Sequence, residues 1–427
     1  MTDRKKASAL RPAGRIRSVI RRLSWRSTFT AFGYRNYRLY FWGQIVSLFG
    51  SWMQTTAQGF LIYELTHSAA YLGLVGFATG LPTWLFMLWA GVIADRFPRR
   101  RLMIITQSLM AVLAFILAFL TAMDWVRPWH IVLLAFALGT VNAFDAPARL
   151  AIVTELVDDK EDLPNAIALN AAMFNAALVA GPAFAGLIYA LLGPEWCFII
   201  NGLSFFAVIA ALAAMTSSPK PPPAARNSVW NDIREGFRYT FSHRIILTII
   251  GLVAMISLLG MTFSNIFPAW AVRVLKGNAA TNGLLYSARG LGALASSLFI
   301  ASLGRFRSKG KLLTAGSLMF PVMLLAFSFT RTLPLSLIIL AGAGVASVMV
   351  LNIANALVQT MVDDKLRGRV MSIYSLTFFG FHPIGSLWVG VTADKLGPPA
   401  ALAINSVILL VFALGVWFFV PGLKSQK

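Results

Sequence analysis

Of the 427 residues, 58% are hydrophobic and 12% are charged, and the mean hydropathy is +0.72. These values exclude a soluble globular domain and predict an integral membrane protein. The single cysteine, Cys197, excludes an intrachain disulfide, and the net charge of +21 must be placed along the chain before a nucleic-acid partner is dismissed.

Residues 1–36 form a basic tail in which Arg15, Arg17, Arg21, Arg22 and Arg26 suit anionic lipid headgroups. Apolar runs follow, each long enough to supply the roughly 20 residues that cross a bilayer core. The first six, at 37–63, 71–94, 102–123, 130–156, 164–192 and 196–216, make a first bundle over 37–216. The segment 217–243 interrupts the pattern. Its Pro-rich start runs extended, and Trp230, Ile233, Phe237 and Phe241 then recur at helical spacing, which predicts a short amphipathic helix on the membrane surface. Six more runs, at 245–272, 281–303, 312–330, 334–361, 368–393 and 399–420, make a second bundle over 244–420, and 421–427 is a short tail. The basic tail leads straight into a full-length span with no small-residue cleavage site, so the first span is expected to be retained.

With the N-terminus placed inside, 31 Lys and Arg fall on that side, five on the other, and one, Arg289, within a span. This positive-inside bias predicts that both termini are cytoplasmic. The basic charge is then topology, and no nucleic-acid partner is expected.

The tetrapeptide VDDK occurs at 157–160 and again at 362–365, 205 residues later, and Gly139 and Gly344 share that offset. Gly181, Gly186, Gly193, Pro194 and Asn201 match Gly385, Gly390, Gly397, Pro398 and Asn405 at 204, and Arg96-Phe97 has an echo in Arg305-Phe306. The chain therefore reads as a duplicated six-span unit. Such parallel repeats, related by an axis along the membrane normal, form a known transporter plan that binds substrate between the halves near the midplane. The acids of each VDDK are expected to cap the following helix, through Asp159 or Asp162 in the first copy.

The run G91-VIA-D95-R96-FP-R99-R100-R101 between the second and third spans resembles the loop signature of the major facilitator superfamily, with Pro98 where that family has Gly. The resemblance implies that Gly91, Asp95, Arg96, Arg99 and Arg100 form a cytoplasmic gate latch between the halves. It further implies a fold of twelve transmembrane helices in two pseudo-repeated six-helix bundles, all-α and polytopic. In the second copy Gly304 replaces the acid. The stretch A177-LVA-G181-P182-AFA-G186 resembles, in degenerate form, a motif of drug and proton antiporters; Gly181, Pro182 and Gly186 are equally readable as ordinary helix packing. The runs at 34–37, 52–54, 143–149 and 161–166 resemble the bacterial exporter branch that includes the enterobactin exporter.

Intramembrane ionisable groups default to function. Asp145 and Arg149 share a helix face at i, i+4, either as a proton carrier with a tuning cation or as a permanent pair closing the cavity, and the permanent pair is favoured. Gln44, Gln54, Gln58, Asn142 and Asn175 in the first half, and Asn265, Arg289, Asn352, Asn355 and His382 in the second, are cavity candidates. Each is also readable as interhelical glue. Arg289 stands out as a cation within a span. No phosphate loop, metal-ligand cluster or nucleophile motif occurs, so no enzyme activity, metal or cofactor is expected. The reading is a monomeric secondary transporter of the bacterial inner membrane, alternating between inward-open and outward-open states. It is expected to export a small amphiphilic or siderophore-like compound against protons. The alternatives are an uptake facilitator or importer of the same fold, a lipid flippase, or a non-transporting scaffold.

Overall fold

The computed structural model describes residues 29–216, 229–303 and 308–423. The start of the basic tail, the Pro-rich part of the linker, the Arg305-Phe306 echo and the last four residues (424–427) lie outside the described residues, as do the side chains of Asp95, Trp230, Ile233 and Lys365.

The first half comprises α1 (Arg35–Thr66), α2 (Ala69–Arg96), α3 (Arg99–Ala122), α4 (Pro128–Ile152), α5 (Leu163–Leu192) and α6 (Pro194–Ala213). A short helix, α7 (Val229–Ser242), precedes α8 (Arg244–Val274), α9 (Ala279–Leu303), α10 (Lys309–Ser328), α11 (Leu333–Met361), α12 (Asp364–Leu396) and α13 (Pro398–Phe419). Among the described residues eleven helices are long and apolar enough to cross a membrane, and α1 is the long helix left out. Its 32 residues would span, but Gln44, Ser47, Gln54, Thr55 and Gln58 dilute its apolarity. In a medium without water, every polar group must be satisfied within the protein. Ser51 and Thr55 do this locally, donating to the Ser47 and Ser51 carbonyls at 2.8 and 2.9 Å.

Within each half the packing follows the duplication. Helix α2 packs on α4 where Gly139 meets the Thr79 carbonyl, and α9 packs on α11 where Gly344 meets the Arg289 carbonyl. The α5–α6 and α12–α13 turns are equivalent too. Gly193 and Gly397 take φ of +104° and +84°, a region that favours glycine, and each is followed by proline at the first helical position. Small residues at crossings are the expected device here, because lipid removes the hydrophobic drive that joins helices in water.

Connections at one end of the bundle carry the arginine-rich segments; we call it the basic end. Here α7 lies against α12, with Glu235 paired to Arg369 and Gly236 set against the Arg369 carbonyl. Phe237 and Phe241 of α7 remain exposed. At the VDDK loops the expected capping is not made. Asp162 occupies the position before α5, but its carboxylate accepts from the Tyr34 hydroxyl at 2.9 Å, and Asp159 accepts from the Glu161 N–H at 2.9 Å. Asp363 precedes α12 without a side-chain cap, while Asp364 pairs with Arg367. The acids serve turn geometry and neighbouring side chains instead.

Helix α8 departs from its first-half counterpart α1. It runs regularly to Met255, widens to a π-turn at Ile256–Gly260, tightens over Met261–Ile266, and widens again at Trp270–Val274. Gly260 and Pro268 bracket the break. The Tyr286 hydroxyl donates to the Ser264 carbonyl at 2.8 Å, satisfying a backbone group that the irregular turn exposes.

Candidate functional site

Asp145 lies on α4 with 1% of its surface exposed. A buried carboxylate is tolerated only when hydrogen-bonded and balanced by a cation. Thr106 Oγ1 and Gln107 Nε2 of α3 donate to Oδ1 at 2.7 and 3.1 Å, and Arg149 Nε stands 3.5 Å from Oδ2. The i, i+4 pair expected from the sequence is thus joined by two donors that sequence reasoning missed. Their signal was an adjacent Thr-Gln inside an otherwise apolar span. Asp145, Arg149, Gln44, Gln54, Asn142 and Gln107 line a cavity of about 250 Å³ within the first half. Gln54 accepts from Asn201 Nδ2 at 2.6 Å and so ties α1 to α6, whereas Gln44 is buried with its Oε1 unpartnered.

A second cavity, of about 220 Å³, lies between the halves. Gln58 of α1 and Thr79 of α2 face Asn265, Tyr286 and His382 across it. Thr55 and Leu138 line both cavities, so the two adjoin. Asn265 sits in the irregular stretch of α8 and donates to Ser386 Oγ at 2.7 Å. Arg289 lies one turn beyond Tyr286, with its guanidinium 5.5 Å from the Phe263 ring centre. Four candidates, Arg289 among them, line neither cavity. Asn175 donates to its own helix at the Ala171 carbonyl, Asn355 accepts from Gln359, and Asn352 is exposed.

At the basic end, Arg99 pairs with Glu155, and Arg100 donates to the Ala213 and Met215 carbonyls at 2.8 and 2.9 Å. Both arginines are therefore engaged inside the first half. Arg96 is exposed on the last turn of α2, and a Cβ added at Gly91 would meet nothing within 4 Å. Among the described residues no neighbouring helix approaches Gly91 closely in this structure. A Cβ at Gly368 of α12 would likewise meet open space.

Toward the opposite end the halves touch closely. Helix α2 crosses α12, and α5 crosses α9. A Cβ on Gly73 would lie 2.5 Å from the Ser386 carbonyl and 2.9 Å from Gly390 Cα, and one on Gly186 would lie 2.7 Å from the Ala279 carbonyl. The crossings repeat: Gly73 and Gly80 of α2 correspond, at an offset of 210 residues, to Gly283 and Gly290 of α9. Gly73 meets Gly390 as Gly283 meets Gly186, and Gly80 meets Pro383 as Gly290 meets Val179. Gly181, by contrast, packs α5 on Trp52 of α1, and the Pro182 carbonyl lies against Gly283. Polar ties reinforce this seal. The Ala69 N–H at the start of α2 donates to Asp394 of α12 at 2.8 Å, and Arg273 of α8 donates to the His67 carbonyl while lying 5.7 Å from the Tyr63 ring centre. Asp394 and Arg273 went unrecognised in the sequence because both sit at span ends, where charge is ordinary.

The arrangement sets polar groups around two adjoining cavities, with backbone contact between the halves at one end. The sequence matches the profile of the transmembrane secretion effector family over residues 26–427. It is 26% identical over 391 residues to the staphyloferrin A transporter of Staphylococcus aureus, covering 91% of this chain and 97% of that protein. It is 24% identical over 398 residues to the enterobactin exporter EntS of Citrobacter koseri, covering 92% and 93%. Among solved structures it resembles a bacterial homologue of the human lysosomal transporter Spinster, in an inward-facing and unoccupied conformation. The TM-score is 0.69, with 14% identity over 92% of this chain and 98% of that one. The chain belongs to the transmembrane secretion effector family, within the major facilitator superfamily of membrane transporters.

Proposed function

We propose that the chain exports a small amphiphilic, siderophore-like compound across the bacterial inner membrane by alternating access, with the basic end in the cytoplasm and protons as the driving ion. The observation that carries this reading is the glycine seal between the halves at the end opposite the arginines, with a polar cavity beneath it. With the basic end inside, this arrangement is an inward-open state, poised to load from the cytoplasm. The names of the relatives supply the cargo class, since a staphyloferrin transporter and an enterobactin exporter both handle siderophores. Asp145 with Arg149 is the candidate coupling pair, and the run from Gly91 to Arg100 is the candidate latch that would close the basic end in the outward-open state. A single chain supplies both halves of the path, which fits a monomer.

Everted membrane vesicles test the proposal. Energised vesicles carrying the protein are expected to take up enterobactin or staphyloferrin A, and a protonophore is expected to abolish that uptake. Uptake that ignores the protonophore would refute proton coupling. Accumulation in right-side-out vesicles instead would assign the chain to import.

A further inference from the structure

Arg289 places positive charge where, among the described residues, no counter-ion is paired with it, and His382 stands across the cavity from the same face of α9. Among the described residues no hydrogen bond or ion pair engages the Arg289 guanidinium; its one close polarisable neighbour is the Phe263 ring. Among the described residues neither ring nitrogen of His382 has a partner. Tyr286, one turn before Arg289 on α9, and His382 of α12 both line the cavity between the halves. The side chains of Arg289 and His382 are only half-buried, and their nitrogens are absent from the buried atoms that lack a partner. Their free N–H groups therefore reach open space instead of being stranded in the packing.

Arg289 is not among the residues that line the cavity between the halves, but the duplication sets it beside that cavity. At the 210-residue offset that relates α2 to α9, Arg289 takes the place of Thr79. The backbone confirms the match, because Gly344 packs on the Arg289 carbonyl as Gly139 packs on that of Thr79. Thr79 lines the cavity between the halves, as do Tyr286 on the same face of α9 and His382 opposite. Among the described residues no Asp or Glu lines that cavity. The neighbouring polar groups are already committed, since Tyr286 donates to Ser264 and the Asn265 amide to Ser386. An unpaired cation at membrane depth is costly, and an anion that enters the cavity would relieve the cost.

We propose that Arg289, assisted by the neutral ring of His382 as a hydrogen-bonding group, binds the anionic oxygen group of the transported compound, whose apolar part faces the cavity wall at Leu72, Val75 and Leu138. The proposal rests on the transport reading and narrows its cargo to small amphiphilic anions. It calls for the full chain in phosphatidylcholine nanodiscs, titrated with 2,3-dihydroxybenzoate and with its neutral counterpart 2,3-dihydroxybenzamide. The carboxylate is expected to bind and the amide to bind at least about tenfold more weakly. Arg289→Gln is expected to weaken carboxylate binding about 30-fold or more while leaving amide binding unchanged, and Arg289→Lys to retain part of the preference. Arg331→Gln, remote from the cavity, serves as the control. Equal binding of acid and amide, no binding of the acid, or an Arg289→Gln protein that binds the acid normally would each overturn the proposal. So would competition by phosphatidylglycerol added to the nanodiscs, which would assign the cation to lipid headgroups. Should Arg289→Gln fail to fold, the acid-to-amide ratio of the wild type and of Arg289→Lys still decides. Loss of the acid preference in Arg289→Gln alongside inactive vesicles would sink export and leave the anion site standing; active export with an unchanged preference would do the reverse.

Discussion

Placing a methyl group at either glycine crossing should open the seal, and the size of the effect follows from the contacts. In Gly73→Ala the new Cβ would lie 2.5 Å from the Ser386 carbonyl and 2.9 Å from Gly390 Cα, where unstrained heavy-atom contacts need roughly 3.5 Å or more. Both obstacles are backbone and cannot rotate away, so α2 and α12 must part by roughly 1 Å or the seal must break. Overpacking of this kind costs about 1–3 kcal/mol. The helix propensity gained on replacing glycine applies to sealed and unsealed states alike, so it cancels in their ratio. The sealed state should then lose about 5- to 150-fold in population. Gly283→Ala, whose Cβ would overlap the Pro182 carbonyl, should do the same from the other side of the pseudo-axis. The assay is labelling of a cysteine introduced at Gln58, in the cavity beneath the seal, by an impermeant reagent added from the sealed end. The native Cys197 is buried and should stay silent. Gly415→Ala, which meets open space, is the control. Gly91→Ala also meets nothing in this state and should shift labelling in the opposite direction if α2 packs closely at the basic end in the other state. Wild-type labelling in both Gly73→Ala and Gly283→Ala, or an equal change in Gly415→Ala, would refute the seal.

Other substitutions probe the polar ties. Asp394→Ala removes the acceptor for the first N–H of α2 and should weaken the sealed state by about 1 kcal/mol, read as a smaller change in the same labelling assay. Asp145→Asn deprives Thr106, Gln107 and Arg149 of a shared anionic acceptor and should destabilise the folded protein by about 1–3 kcal/mol, measured as a lower unfolding midpoint in detergent; an unchanged midpoint would show the carboxylate to be structurally dispensable. Arg99→Ala strands Glu155, whose Oε2 already lacks a partner, and should cost about 3 kcal/mol by the same measure, while Glu155→Gln in the Arg99→Ala background should recover most of it.

The fold was legible because its signals are local or periodic. Apolar runs of bilayer length and the 204- to 205-residue repeat need no knowledge of partners, and the Gly-Pro turns at 193–194 and 397–398 carry their own backbone chemistry. Helix α1 was found by length despite its polar face, whereas the break in α8 went unseen, since Gly260 and Pro268 lie within an otherwise continuous apolar run. The glycines of α2 and α9 escaped the register for a simple reason: their offset is 210, so the comparison that aligned the later spans slid past them.

Site residues were harder to read because satisfaction of a polar group depends on helices far away in sequence. Gln54 looks like a cavity ligand until Asn201, 147 residues on, donates to it; Asn355 looks the same until its own helix supplies Gln359. The reverse holds for Arg289, whose significance lies in the absence of any such donor or acceptor among the described residues. Duplication sharpens the contrast. Where the two halves must pack against each other, equivalent positions carry the same glycines. Beside the cavity, equivalence stops at the backbone, and Thr79, which lines it, stands in the first half where Arg289 stands in the second. The first half meanwhile pairs its own buried charges, Asp145 with Arg149. A transporter built from two like halves needs symmetry to exchange its open and closed ends, yet a cargo without that symmetry must be held by groups that differ between the halves. In this chain the shared glycines fit the first requirement, and the proposed anion site assigns the second to the unshared cation.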